Sequence, residues 1–143
     1  MKYGDLPVSG TLGDARRAGF TACISDDADV RCRREGVFFE RRGPFSAAVD
    51  LEGDNGAGGF DRLTLWHQTD QSALIAITDK LRSEGWSECL TPKGSRWADQ
   101  AVYHQKDSPI FISLDLSYWS VRKLTVYPAV RGNIPQCRAQ GDA

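Results

Sequence analysis

The sequence predicts an α+β fold in which two tandem αβββ repeats form one roughly six-stranded antiparallel sheet with helices on one face. Two observations lead to this prediction: segments that recur in the same order, and apolar residues that alternate with polar ones as in strands. The chain has 143 residues, the size of a single domain. We expect repeat one over about residues 10–68, repeat two over 69–130 and a C-terminal tail over 131–143.

The repeat consists of three pairs of similar segments. They are GFTAC (19–23) with GWSEC (85–89), VFFERRGPFSAAVDL (37–51) with VYHQKDSPIFISLDL (102–116), and RLTLW (62–66) with KLTVY (123–127). The first residues of these pairs lie 66, 65 and 61 positions apart. A glycine-rich loop, EGDNGAGG at 52–59, absorbs the four-residue difference. Several identities in the same order indicate a duplicated unit of one helix followed by three strands.

Each repeat is expected to begin with a helix. Thr11 with Asp14 is typical of a helix N-terminus, and Asp70 is the corresponding cap in repeat two. An apolar stripe at helical spacing follows Asp70 and consists of Leu74, Ile77 and Leu81. The pairs Gly19–Phe20 and Gly85–Trp86 fit helix termination, where glycine adopts a positive φ and the next side chain folds back.

Alternation along the strands assigns two faces. The apolar face comprises Phe45, Ala47, Val49, Leu51, Leu63, Leu65, Ile110, Ile112, Leu114, Leu116, Leu124 and Val126. The opposite face comprises Ser46, Asp50, Arg62, Thr64, Trp66, Phe111, Asp115, Lys123, Thr125 and Tyr127. Helices packed on the apolar face would close the core and leave the opposite face open.

Four cysteines predict two disulfides, since the count is even and no C-x-x-C motif is present. Cys23 and Cys32 both lie between the helix and the first strand of repeat one, and Cys89 occupies the equivalent place in repeat two. We therefore predict the bridges Cys23–Cys32 and Cys89–Cys137, and no metal site or cofactor. Disulfides indicate a periplasmic or secreted protein. The first ten residues lack an apolar signal core, so either the protein is cytosolic or a signal segment has been removed, and we expect the second.

Composition and charge exclude several classes of function. Eighteen basic and nineteen acidic residues give a net charge of −1, which argues against a nucleic-acid partner. The longest apolar run, residues 73–77, is too short for a transmembrane segment. The two histidines, His67 and His104, occupy non-equivalent positions, so we predict no catalytic residue and no enzyme. The glycine-rich loop lacks the lysine of a phosphate-binding loop and is predicted to join two strands.

The layout resembles a known family. Tandem helix-plus-strand units, a half-open sheet, one disulfide per half and the opening segment GTLGDARRAGF are similar to the secreted beta-lactamase inhibitory protein family. The same unit occurs singly in the SmpA/OmlA type of envelope lipoprotein. The resemblance covers roughly residues 10–130 and implies protein binding through an aromatic-rich concave sheet. It identifies no individual site residue.

The open face is the predicted binding surface. Its candidate aromatic residues are Trp66, Phe111, Tyr118, Trp119 and Tyr127. Large aromatic side chains on a solvent-facing sheet are typical of interfaces, although a phase error of one residue would place them in the core. The pairs Asp50–Arg62 and Asp115–Lys123 are expected to form cross-strand ion pairs, with ligand binding as the alternative.

These features together predict a function. The chain is expected to be an exported protein-binding module, acting as an inhibitor or immunity-type protein through the open face and binding another protein. The alternative is a structural envelope component whose sheet packs inside a permanent assembly. A small hydrolase, using His67 or His104 beside a carboxylate, is the least favoured function.

Overall fold

The computed structural model describes most of the chain, namely residues 2–3, 6–7, 9–25, 28–53, 55–67, 69–70, 72–91, 100–116 and 122–128. Its elements are β1 (Lys2–Tyr3), β2 (Leu6–Pro7), α1 (Leu12–Arg17), β3 (Ala22–Ser25), β4 (Asp29–Phe39), β5 (Arg42–Glu52), β6 (Gly59–Trp66), α2 (Ser72–Ser83), β7 (Ser87–Leu90), β8 (Gln100–His104), β9 (Ile110–Asp115) and β10 (Lys123–Pro128). Strands β1 and β2 form a small sheet of their own.

The other eight strands form one antiparallel sheet in the order β3-β4-β5-β6-β10-β9-β8-β7. Each half of the chain contributes one helix followed by four strands, and the first strand of each half lies at an edge of the sheet. The halves meet where β6 pairs with β10, with Thr64 opposite Thr125 near the middle of this seam.

The predicted sheet of six strands with helices on one face is wrong. The sheet has eight strands because each half contains a fourth strand, β3 or β7, directly after its helix. These four-residue edge strands bury little of their side chains, so they lack the apolar alternation that identifies a strand in sequence. The helices, of six and twelve residues, are a minor part of a mostly β structure.

The start of α1 and the C-terminal ends of both helices follow the predicted chemistry. Thr11 caps α1, with its hydroxyl accepting from the Asp14 amide and the Asp14 carboxylate accepting from the Thr11 amide. Both helices end at a glycine of positive φ, Gly19 at 93° and Gly85 at 89°. The amide of the next aromatic residue then donates back five residues, from Phe20 to the Ala15 carbonyl and correspondingly in α2.

The apolar face forms the core, as the alternation predicts. All the predicted core positions on β5, β6, β9 and β10 are buried, and Leu116, just after β9, packs partly buried against them. The α2 stripe of Leu74, Ile77 and Leu81 belongs to the same cluster, and so does Phe20 after α1. Neither helix of the described part has the length and hydropathy of a membrane span.

One predicted disulfide lies within the described residues. Cys23 on β3 and Cys32 on β4 face each other across the two strands and are bonded. The bridge therefore ties an edge strand of the sheet to its neighbour. Cys89 is also disulfide-bonded, and Cys137, the partner predicted for it, lies outside the described residues.

The second hairpins of the two halves, β4–β5 and β8–β9, differ in length, and this changes which positions correspond. Glu40 and Arg41 form a two-residue turn between β4 and β5, whereas residues 105–109 connect β8 to β9. As a result Asp50 faces Arg31 in the first half, and Asp115 faces Gln100 in the second. Equivalent positions on β4 and β8 are thus 69 residues apart (100 minus 31), whereas the ungapped alignment of this segment gives 65.

Candidate binding site on the polar face of the sheet

A small cavity of about 210 Å³ lies on the polar face of the sheet, across the seam between the halves. Its lining consists of Arg31, Arg62, Thr64, Gln100, Ser113, Asp115, Lys123, Thr125 and Tyr127. The alternation on β6, β9 and β10 places these side chains opposite the core residues. The site therefore unites four predicted residues, Arg62, Asp115, Lys123 and Tyr127, which come from both halves.

A buried carboxylate holds the two arginines of this cavity. Asp50 is 2% exposed, and its Oδ2 accepts from Arg31 Nη1 at 2.8 Å and lies 3.3 Å from Arg62 Nε. Arg62 also pairs with the half-exposed Asp61 at 3.0 Å. The predicted Asp50–Arg62 ion pair is present. Because Asp50 is covered by these partners, it orients their guanidinium groups and offers little surface of its own.

Trp66 lies beside the arginines on the same face. The guanidinium carbons of Arg31 and Arg33 stand 5.9 and 5.1 Å from the centre of the indole ring. Both distances are within the range of cation–π contacts. Trp66 is half-buried and Arg33 is exposed, so this part of the face presents an indole edge and cationic groups.

The second aromatic pair on this face is Phe111 with Tyr127. Their rings stack with centroids 4.9 Å apart and planes 13° from parallel. Phe111 is fully buried, whereas Tyr127 is half-buried and lines the cavity. Of this pair, only Tyr127 can therefore contact a binding partner, and Phe111 stacks against its ring from the neighbouring strand. Tyr118 and Trp119, also predicted for this surface, lie outside the described residues.

The polar groups of the lining are mostly hydrogen-bond donors. Ser113 donates to Gln100 Oε1 at 2.6 Å, which uses one lone pair of that amide oxygen and leaves the amino group able to donate. Thr64 is only 4% exposed, and within the described part of the chain its hydroxyl has no hydrogen-bond partner. Lys123 is exposed and forms no ion pair with any described residue. Asp115 also lines the cavity, but the predicted Asp115–Lys123 ion pair is not formed in the described structure.

The two histidines lie elsewhere. His67 Nδ1 accepts from the amides of Asp70 and Thr69, at 2.8 and 3.2 Å, just before α2. Asp70 accepts in turn from Ser72, whose hydroxyl and amide lower the pKa of that carboxyl. His104 ends β8 opposite Ser87. Neither histidine is part of the cavity lining.

The glycine-rich loop connects β5 to β6, as predicted. Its amides are engaged internally, since Gly56 donates to Gly53 O, Gly58 to Glu52 O and Gly59 to Gly56 O. A phosphate cradle needs such amides to point at the ligand, and these do not. No group of three potential metal ligands (His, Cys, Asp or Glu) occurs among the described residues.

Sequence reasoning missed three residues of the lining: Arg31, Gln100 and Ser113. Arg31 belongs to a run of mixed charges that by itself indicates only a solvated surface. The available signal is the alternation on β4, where Val30 and Cys32 are buried and the side chains of Arg31 and Arg33 point to the other face. Ser113 follows from the same alternation on β9.

No protein-family model, curated protein or solved structure matches this chain. The resemblance to the inhibitory protein family therefore stays a prediction.

Proposed function

We propose that this chain is a protein-binding module that contacts its partner through the polar face of the sheet. One observation carries the proposal: Arg31, Arg62 and Tyr127 line a cavity at the centre of that face, and the Trp66 ring lies against Arg31. Tryptophan, tyrosine and arginine are the residue types that contribute most to the free energy of protein association. Arginines held in place by Asp50 also lose less conformational entropy when they bind.

The size of the cavity favours a protein partner over a small-molecule substrate. Pockets for drug-sized ligands and cofactors usually measure roughly 300–1,000 Å³, and this one measures about 210 Å³. That volume accommodates one inserted side chain. Both histidines lie outside the lining of this cavity, so we favour protein binding over the hydrolase alternative.

We further propose that the protein acts in an oxidising compartment. The Cys23–Cys32 bridge supports this, since disulfides form and persist outside the reducing cytosol. An inhibitor or immunity-type role is the form of binding we favour.

Site-specific photo-crosslinking tests the binding surface. A benzophenone side chain replaces Tyr127 at the cavity, or Glu84 at the exposed end of α2 as a matched control, and each protein is irradiated in an extract of the source cells. We expect one defined adduct from position 127 that is absent from position 84 and is suppressed by excess unlabelled protein. Equal labelling from both positions, or no adduct from position 127, would contradict the proposal.

Truncation of the aromatic residues provides a second measurement. Trp66→Ala and Tyr127→Ala should each weaken retention of the crosslinked partner by about tenfold or more, with a change in unfolding free energy within about 1 kcal/mol. If both variants unfold, the two rings serve the core and this face is not the binding surface.

A further inference from the structure

The cavity combines a buried hydroxyl that has no partner among the described residues with three cationic side chains. Thr64 is 4% exposed and has no hydrogen-bond partner among the described residues, although buried polar groups in folded proteins are nearly always paired. It lies on β6 at the seam, directly opposite Thr125, which also lines the cavity. A group that enters this cavity would give the Thr64 hydroxyl the partner that the described chain does not.

The lining indicates the chemistry of that group. Three cations, Arg31, Arg62 and Lys123, accompany a single carboxylate, Asp115. Arg31 and Arg62 form ion pairs with Asp50, and Arg62 also pairs with Asp61. Lys123 is therefore the one lining cation that has no ion pair with a described carboxylate. A guanidinium has five N–H donors, and the contacts to Asp50 and Asp61 use only some of them.

The neutral side chains of the lining also offer hydrogen-bond donors. The Gln100 amide accepts from Ser113 and so retains its two N–H donors. The hydroxyls of Thr64 and Thr125 donate as readily as they accept. The cavity is thus rich in donors, and its complement is an anionic group that only accepts hydrogen bonds.

We propose that this cavity binds a carboxylate, supplied by an aspartate or glutamate side chain of the partner protein. This inference rests on the proposed function, because it names what the partner inserts. Lys123 supplies the charge, Arg31 and Arg62 supply oriented N–H donors, and Thr64 donates from the floor. The volume of about 210 Å³ is many times the roughly 10–15 Å³ that a cavity needs to hold one water, enough for a carboxylate with some hydration.

The test uses blocked amino acids as probes. N-acetyl-glutamate N-methylamide is titrated into the ¹⁵N-labelled protein, with the blocked glutamine of the same shape as the uncharged control. We expect millimolar binding of the glutamate probe, with the largest amide shifts at Thr64, Lys123 and Thr125, and at least about tenfold weaker binding of the glutamine probe. Shifts centred elsewhere, or equal binding of both probes, would overturn the carboxylate assignment.

Two variants and a control connect the binding to these residues. Lys123→Gln and Thr64→Val should each weaken the glutamate probe by about fivefold or more, since hydrogen bonds to charged groups are strong. Lys106→Gln, the same substitution in the exposed loop between β8 and β9, should leave its affinity unchanged. Equal loss in Lys123→Gln and Lys106→Gln would mean a general charge effect and no site.

Inorganic phosphate separates this proposal from a general anion site. Tighter binding of phosphate than of the glutamate probe would reject the carboxylate. Failure of the glutamate probe, combined with a specific adduct from position 127, would overturn this inference and leave the proposed binding surface intact. Failure of the adduct, combined with glutamate binding in the cavity, would overturn the proposed binding surface and the assignment of the carboxylate to a partner protein, and it would leave the cavity as a carboxylate site only.

Discussion

Asp50 shows how one buried side chain organises a surface. Its carboxylate is 2% exposed and lies within 3.3 Å of nitrogen atoms of two arginines. Both arginines remain more than a third exposed, so each keeps part of its hydration. The desolvation cost falls mainly on Asp50, and the two guanidinium groups compensate it. Asp50 therefore contributes both to stability and to the shape of the cavity.

Asp50→Asn keeps the size of this side chain and removes its charge. We expect the unfolding free energy to fall by about 1–2 kcal/mol, because two cations lose a buried counter-ion while still being partly hydrated. Asp61→Asn is the control, since Asp61 contacts the same Arg62 from the surface, and it should cost about 0.5 kcal/mol or less. Urea denaturation measures both values, and an equal cost would show that the burial of Asp50 is unimportant.

Tyr103 is a buried side chain whose hydroxyl lies near Arg82 of α2. Its ring is part of the core, and its hydroxyl lies 3.5 Å from Arg82 Nη1. Burial of the ring and a hydrogen bond with Glu88 raise the pKa of the Tyr103 hydroxyl well above its usual range. The folded protein thus holds this proton at pH values where the unfolded chain has released it.

The stability contributed by this raised pKa is complete below about pH 10, the usual tyrosine pKa, and is lost as the pH rises further. Tyr103→Phe removes the titrating group, so its unfolding free energy should decline less steeply between about pH 9 and pH 11. Tyr127→Phe, at a half-buried position, is the comparison. Urea unfolding across this range is the measurement, and identical slopes for wild type and Tyr103→Phe would contradict the assignment.

The helices and strands differ in how well they can be predicted from the spacing of apolar residues in the sequence. Helix α2 and strands β5, β6, β9 and β10 have apolar residues at a regular spacing, because each presents one face to a common core. Edge strands β3 and β7 bury too little surface to impose such a pattern. Their position comes from pairing with β4 and β8, a tertiary interaction that local spacing does not contain.

The turn of the β4–β5 hairpin places two non-glycine residues in a backbone conformation of positive φ. Its turn residues, Glu40 and Arg41, have φ values of 51° and 62°. Two-residue hairpin turns with both φ values positive are normally made by Asn-Gly, because other side chains are strained there.

Replacing the pair by Asn-Gly (Glu40→Asn, Arg41→Gly) should therefore stabilise the protein by about 1 kcal/mol. The control Glu40→Asn with Arg41→Ala retains a side chain at the second position and should gain less. Thermal or urea unfolding gives the comparison. A gain of equal size in both variants would assign the effect to the lost charges.

At the scale of the whole molecule, the candidate site depends on the junction of the two halves. Thr64 and Thr125 face each other across the seam, and the other lining residues come from β4, β6, β8, β9 and β10. The sequence predicts which residues share the polar face, because alternation determines side-chain direction. It does not predict that Phe111 is covered while Tyr127 is accessible, since both belong to that face and their burial depends on neighbouring strands.

The pairing register of β4 with β5 is the other feature that cannot be predicted from the sequence. The ungapped alignment does not identify Arg31 and Gln100 as equivalent, because the hairpins of the two halves differ in turn length. Strand pairing depends on turn geometry, and the registers of the two hairpins place the partners of Asp50 and Asp115 69 positions apart, four more than the 65 of the ungapped alignment. For this reason the alignment alone does not reveal Arg31 as a partner of Asp50.

The Cys23–Cys32 bridge affects the stability of the whole sheet. Closing a loop with a sequence separation of nine residues should stabilise the fold by about 2.5 kcal/mol, because the bond restricts the conformations open to the unfolded chain. The double variant Cys23→Ser, Cys32→Ser should lose about that amount in urea unfolding. The glutamate-probe affinity should persist, because the bridge lies outside the cavity lining. Loss of binding in a still folded variant would contradict this separation.

The strand order also dictates a sequence of events during synthesis. Within the large sheet, every strand pairs with a neighbour in the chain except at the junction of β6 with β10. The strands β3 to β6 can assemble as successive hairpins while the ribosome is still translating. One edge of β6 then has no hydrogen-bonded neighbour until β10, residues 123–128, has been synthesised. An unpaired strand flank readily recruits other chains. The nascent first half is therefore the form of this protein most exposed to misassociation, and β10 is the strand that ends that vulnerability.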